Sequence, residues 1–197
     1  MSLVELIARA DERSLAASGL ACLDRCVPLL GGDDEVLRPL WGALADGARG
    51  GGSGNVFGDG WADRLERVRA VLAAAGPDMA VEDEAALLAR RMLGAAPPAP
   101  SAAGVREWAD VCSVASLCIH RLLDPAEDPA PVDSRREGRT DGMPPLAAAE
   151  LRRQTAVLEL LAAPGPAGAG LSRALAVSTE GRRVLRAVVS RRARGRV

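Results

Sequence analysis

The chain has no lysine and no tyrosine, and among its 197 residues only one histidine, one phenylalanine and three tryptophans. Each shortage removes a class of chemistry. Without lysine there is no Schiff-base amine, no kinase-type lysine and no phosphate-loop lysine. With one imidazole and no phenol, proton transfer would fall on carboxylates, the four cysteines or His120. Two isoleucines, three threonines and four aromatics are too few to fill the pleated faces of a sheet, which draws on β-branched and aromatic side chains. No apolar run approaches the ~20 residues of a membrane span. The opening Met-Ser-Leu-Val-Glu carries acid where a secretory leader carries base. The expected setting is the cytoplasm, where thiols stay reduced.

What the chain does contain is alanine, 38 residues of it, within a hydrophobic content of 48%. Alanine loses no side-chain entropy in a helix, so this composition specifies helices packed on one another. The length supports one core, or two small ones in contact, without a metal or disulfide staple. A net charge of −1 sets up no long-range field favouring nucleic acid. Charge is nevertheless uneven: Asp78, Glu82, Asp83 and Glu84 form an acidic patch, while seven arginines and no acid follow Glu180.

Ser2 and Glu5 make a capping box for a short first helix, and Asp11 caps a second. The second helix carries Leu15, Gly19, Cys22, Cys26 and Leu30 at spacings of three and four, on one broad face. A third is expected from Asp33 or Asp34, with Val36, Leu40, Trp41 and Leu44 on one side. Residues 47–60 include seven glycines and read as a mobile loop. Trp61, Leu65, Val68 and Leu72 define a fourth helix, ended by Gly76-Pro77. A fifth spans about 79–93. The sixth is the clearest, with Trp108, Val111, Ala115, Cys118 and Leu122 in register. A seventh follows Pro145 to about Ala162, and Ser178 is the expected cap of a last helix bearing Val184, Leu185, Val188 and Val189.

The three prolines in 95–104 mark a linker between an N-terminal half, 1–94, and a C-terminal half, 105–197. Residues 124–145, with five prolines and mixed charge, read as a flexible loop. Segments 17–26 and 111–120 resemble each other, as a duplication would leave them. Small residues at helical spacing account for the match equally well.

Several residue groups invite a chemical reading. Cys22 and Cys26 share one turn of helix, and Cys112, Cys118 and His120 would complete a zinc set. Cys112 and Cys118 project about 120° apart, however, given 100° per helical residue. Reduced cysteine also behaves as a small apolar group, so core packing is the preferred reading. His120 near the end of its helix has no evident nucleophile and reads as structural or solvent-facing. A di-iron bundle needs Glu-x-x-His, and Leu117 stands where the glutamate belongs. Helix capping accounts for Asp33-Asp34-Glu35 better than an acid-rich metal wall does. Gly52 and Gly54 follow no strand and precede no base, so they make no phosphate loop.

The terminal arginines Arg182, Arg183, Arg186, Arg191, Arg192, Arg194 and Arg196 read as a solvated helix end, or as contacts for an acidic partner. Base-stacking aromatics and a helix-turn-helix signature are absent, so nucleic acid is not the expected partner.

The run Leu20-Ala-Cys-Leu-Asp-Arg-Cys-Val-Pro-Leu-Leu, followed by Leu37-Arg-Pro-Leu-Trp, resembles a family of uncharacterised bacterial helical proteins, some described as immunity-like. The match spans about 25 residues and carries no site residue across. It implies a protein-binding role. The chain departs from that family in lacking its aromatics and in its glycine-rich insertion.

The expectation is an all-α protein, an irregular bundle of about seven or eight helices, acting as a protein-binding or regulatory module without catalytic activity, cofactor or metal. Its partner would be another protein or a second copy of itself. Trp41, Phe57 and Trp61, beside the glycine-rich loop, with Arg182, Arg183 and Arg186, are the candidate contacts, because aromatics beside loops often anchor interfaces. The alternative is a small-molecule binder or enzyme with a pocket between helices.

Overall fold

A computed structural model describes residues 1–49, 57, 60–75, 83–99, 101–166 and 168–194, and among them the fold is all-α, with nine α-helices and no strand. Among these residues no helix is long and apolar enough to cross a membrane. The glycines at 50–54, the acids Asp78 and Glu82, the expected start of the fifth helix and Arg196 lie outside the described residues.

The N-terminal signals work as their chemistry requires. Ser2 and Glu5 form a reciprocal capping box on α1 (Leu3–Arg9). The Asp11 carboxylate accepts from the Ser14 amide at 2.7 Å and starts α2 (Glu12–Cys26). From Ser14 to Cys26 every residue of α2 is buried, so this helix is the axis of the molecule. It packs against α6 (Ala102–Leu123), α8 (Pro145–Ala162) and α9 (Ala169–Arg194), and touches α3 (Arg38–Arg49) and α5 (Glu84–Gly94). One apolar core thus draws side chains from both sides of segment 95–104.

In this core α2 and α6 pack closely at Gly19. A Cβ on Gly19 would stand 3.2 Å from the Trp108 ring and 3.4 Å from the Ala109 backbone, so the small residue fixes how near the helices come. Beside it, α4 (Trp61–Ala74) contributes Trp61, whose ring stacks on Phe57 at 4.1 Å and meets Trp108 edge-on at 6.1 Å. Both indoles are satisfied: Trp61 Nε1 donates to the Pro97 carbonyl and Trp108 Nε1 to that of Met92. Arg69 on α4 donates to the carbonyls of Leu93, Gly94 and Ala96 at and just past the end of α5, where helix carbonyls run short of intrahelical donors.

Four boundaries differ from the sequence expectation. The second helix ends at Cys26 and passes into a 3-10 turn over Val27–Leu29, with Pro28 in that turn, so Leu30 lies beyond it. The third helix starts at Arg38, because Asp33 spends its carboxylate on the Glu35 amide in a tight turn instead of capping a helix. Within 124–145 there is a further helix, α7 (Val132–Arg136), held by Arg135, which donates to Asp128 and to the carbonyls of Arg139 and Asp141. The last helix starts at Ala169, nine residues before Ser178. Ser178 is buried inside it and donates to the Ala174 carbonyl, so it caps nothing.

Candidate functional site

The groups best able to do chemistry converge on a buried seam between α2, α6 and α8. Glu150 on α8 is fully buried, and the Arg25 guanidinium of α2 grips it with two parallel bonds, Nε to Oε2 at 2.8 Å and Nη2 to Oε1 at 2.7 Å. Oε1 also accepts from Ser116 Oγ at 2.7 Å and Gln154 Nε2 at 2.9 Å. Gln154 in turn accepts from Ser113 Oγ at 2.7 Å. Burial opposes ionisation of Glu150, but the Arg25 charge and these donors outweigh it and hold the carboxyl down at about 2.

His120 lies against the same carboxylate without joining it. Its Nδ1 donates to the Ser116 carbonyl at 2.7 Å, while Nε2 stands 3.6 Å from Glu150 Oε2 and makes no hydrogen bond among the described residues. Burial pushes the imidazole below its ordinary value, against the pull of Glu150. Ser116 therefore donates to a carboxylate that Arg25 already occupies, not to the imidazole. That order cannot activate the hydroxyl as a serine hydrolase does.

The cysteines line the seam and the core. Burial raises the thiols of Cys22, to about 12, and of Cys26 and Cys112. Cys118 is half-buried and faces away. All four are free thiols, and no group of His, Cys, Asp or Glu among the described residues is arranged to hold a metal.

A second ion-pair set ties α9 to α2. Arg182 donates to Asp24 at 2.6 Å, both side chains being buried, and its Nε lies 3.2 Å from Asp34, which also accepts from Arg186 at 2.6 Å. Asp24 Oδ2 finds no donor among the described residues. Burial accordingly raises Asp24 to about 6 despite the attraction of Arg182.

The candidate contact residues are redistributed by these arrangements. Trp41, Phe57 and Trp61 are 4%, 0% and 2% exposed, so they fill the core and present no surface to a partner. Arg182 is turned inward and Arg186 is partly committed to Asp34. Arg183 and Arg191 are exposed. The reason is local: Leu171, Ala174, Ser178, Arg182 and Leu185 fall at spacings of three and four, so α9 buries a stripe that includes one arginine.

Among the clefts open at the surface of the described residues is a groove of about 520 Å³ at one end of the bundle. Leu122 and Leu123 of α6, Leu146 of α8 and Val188 of α9 make its apolar walls, and Arg191 and Arg192 stand over it. Asp124 also lines it, but both carboxylate oxygens are used, accepting from the amides of Ala126 and Leu146. Arg192 donates to the Leu122 carbonyl at 2.8 Å and so caps α6. Leu122, 37% exposed, also borders a neighbouring cleft of about 390 Å³ with Cys118 and Arg121.

Sequence reasoning missed the seam and the groove. The seam carried a signal: Ala147, Leu151, Gln154 and Leu158, with Glu150 beside them, place polar residues on the buried stripe of α8. The groove carried none, since it arises only where the ends of three helices separated in sequence meet. Comparisons with protein-family models, with curated proteins and with solved structures each find no match.

Proposed function

We propose that this protein acts by binding another protein, as a regulatory module without catalytic activity of its own. The observation supporting this reading is the contrast between its buried polar seam and its open groove. The seam that unites carboxylate, imidazole, hydroxyl and thiol is sealed inside the bundle, with its carboxylate gripped by Arg25. The open surface feature is apolar and rimmed by arginine, the composition of a recognition surface rather than a reaction centre. The short resemblance of 20–30 and 37–41 to immunity-like helical proteins agrees with a protein partner. Four thiols without a disulfide agree with a cytoplasmic setting.

The test is affinity capture from native cell extract, comparing the intact chain with Leu122→Glu, which puts a charge on a side chain already 37% exposed. A stoichiometric protein partner retained by the first and lost by the second is the expected result. Light scattering on the purified chain tests for a second copy in the same role. Absence of both a partner and a dimer would refute the reading. The groove volume also falls in the range of small-ligand pockets, roughly 300–1,000 Å³. A small molecule co-purifying in one-to-one ratio would favour that alternative.

A further inference from the structure

The groove at the α6–α8–α9 end combines two features that restrict its occupant, and resting on the protein-binding reading we infer that it takes an acidic, apolar segment of the partner, leucine-like side chains flanked by Asp or Glu. The apolar feature is the wall of Leu122, Leu123, Leu146 and Val188, which no helix of the described chain covers. A side chain of that kind laid against it removes apolar surface from water on both partners.

The second feature is charge. Arg191 is exposed, makes no ion pair among the described residues, and lies at the rim with Arg192. The one acid lining the groove among the described residues, Asp124, accepts from backbone amides at the start of α8 and in the loop after α6 and keeps its charge. Two arginines against that one carboxylate leave the lining with a positive excess, and carboxylates beside the apolar anchor would meet guanidinium forks suited to paired bonds. The Arg192 bond to the Leu122 carbonyl holds one of these arginines over the groove before anything binds. That geometry removes part of the ordering cost on association. A basic segment would meet like charge, and a neutral one would leave Arg191 desolvated without a partner.

The experiment is selection from a randomised peptide display library against the full chain, followed by binding titrations of the selected peptides against Arg191→Glu and Leu122→Glu. The expected result is enrichment of Asp or Glu next to Leu, Ile or Phe, with affinity falling at least tenfold on either substitution and declining with salt. Selection on Arg191→Glu should shift the enriched charge from acidic to basic. Peptides without acidic enrichment, peptides indifferent to both substitutions, or no enrichment at all would each overturn the inference. The protein-binding reading survives if a captured partner still footprints on another face. Should dodecanoate bind in one-to-one ratio where no peptide does, the groove belongs to a small amphiphile and the inference fails. Retained circular dichroism of both variants shows that lost binding is not lost folding.

Discussion

Glu150→Gln keeps the shape of the buried seam and removes its negative charge, leaving the fully buried Arg25 guanidinium opposite a neutral amide. Breaking a buried pair by neutralising one partner costs about 3–5 kcal/mol, because the surviving charge stays desolvated. That is a large share of the ~5–15 kcal/mol that separates folded from unfolded domains. With a urea slope of about 2 kcal/mol/M, the midpoint falls by roughly 1.5–2.5 M, read by circular dichroism at equilibrium. The paired replacement Arg25→Met with Glu150→Leu removes both charges together. It should recover at least half of that loss, although Ser116 and Gln154 then lose an acceptor. A Glu150→Gln midpoint within the error of wild type, or a double variant no better than the single, would refute the view that this pair locks α2 to α8.

Other consequences follow from the same contacts. Gly181→Ala should destabilise by about 1–3 kcal/mol, because the added Cβ overlaps the Arg25 Cδ, whereas Gly→Ala in an open helix stabilises. Thermal melts give the sign. Asp24 is raised from 3.8 to about 6 on folding, so its contribution is full below pH 4 and is lost as pH rises through 6. At about 1.36 kcal/mol per unit, wild type should lose roughly 3 kcal/mol relative to Asp24→Asn between pH 4 and 7. A difference that stays flat or grows with pH contradicts this. Cys118 should be the thiol that reacts with a maleimide in the native state, with Cys22, Cys26 and Cys112 modified only after unfolding, as peptide mass mapping would record.

The helices were legible wherever one physical signal acted alone. The capping box at Ser2 and Glu5, the Asp11 cap and the proline start of α8 each operate within a single turn, so local sequence suffices. The boundaries that moved were those where a polar residue had two employers. Asp34 looked like a helix cap but pairs with Arg182 and Arg186, 148 and 152 positions away, which no local pattern encodes. Ser178 looked like a cap and is instead a buried residue satisfied by its own helix. The aromatics next to the glycine-rich stretch read as exposed anchors, yet besides its neighbour Phe57, Trp61 has Trp108 and the Pro97 carbonyl as partners, both supplied by tertiary packing. Arg25 and Glu150 give no local signal, because a charge on an apolar stripe looks like an imperfection until its opposite appears 125 residues on.

Hydrogen exchange of the chain in complex with its captured partner tests most directly the claim that the polar seam is structural and the open groove functional. New protection is predicted in segments 121–125, 145–148 and 187–193, with 113–120 and 150–154 as protected before binding as after. Protection that appears only around the seam, or that leaves all three groove segments unchanged, would contradict the account.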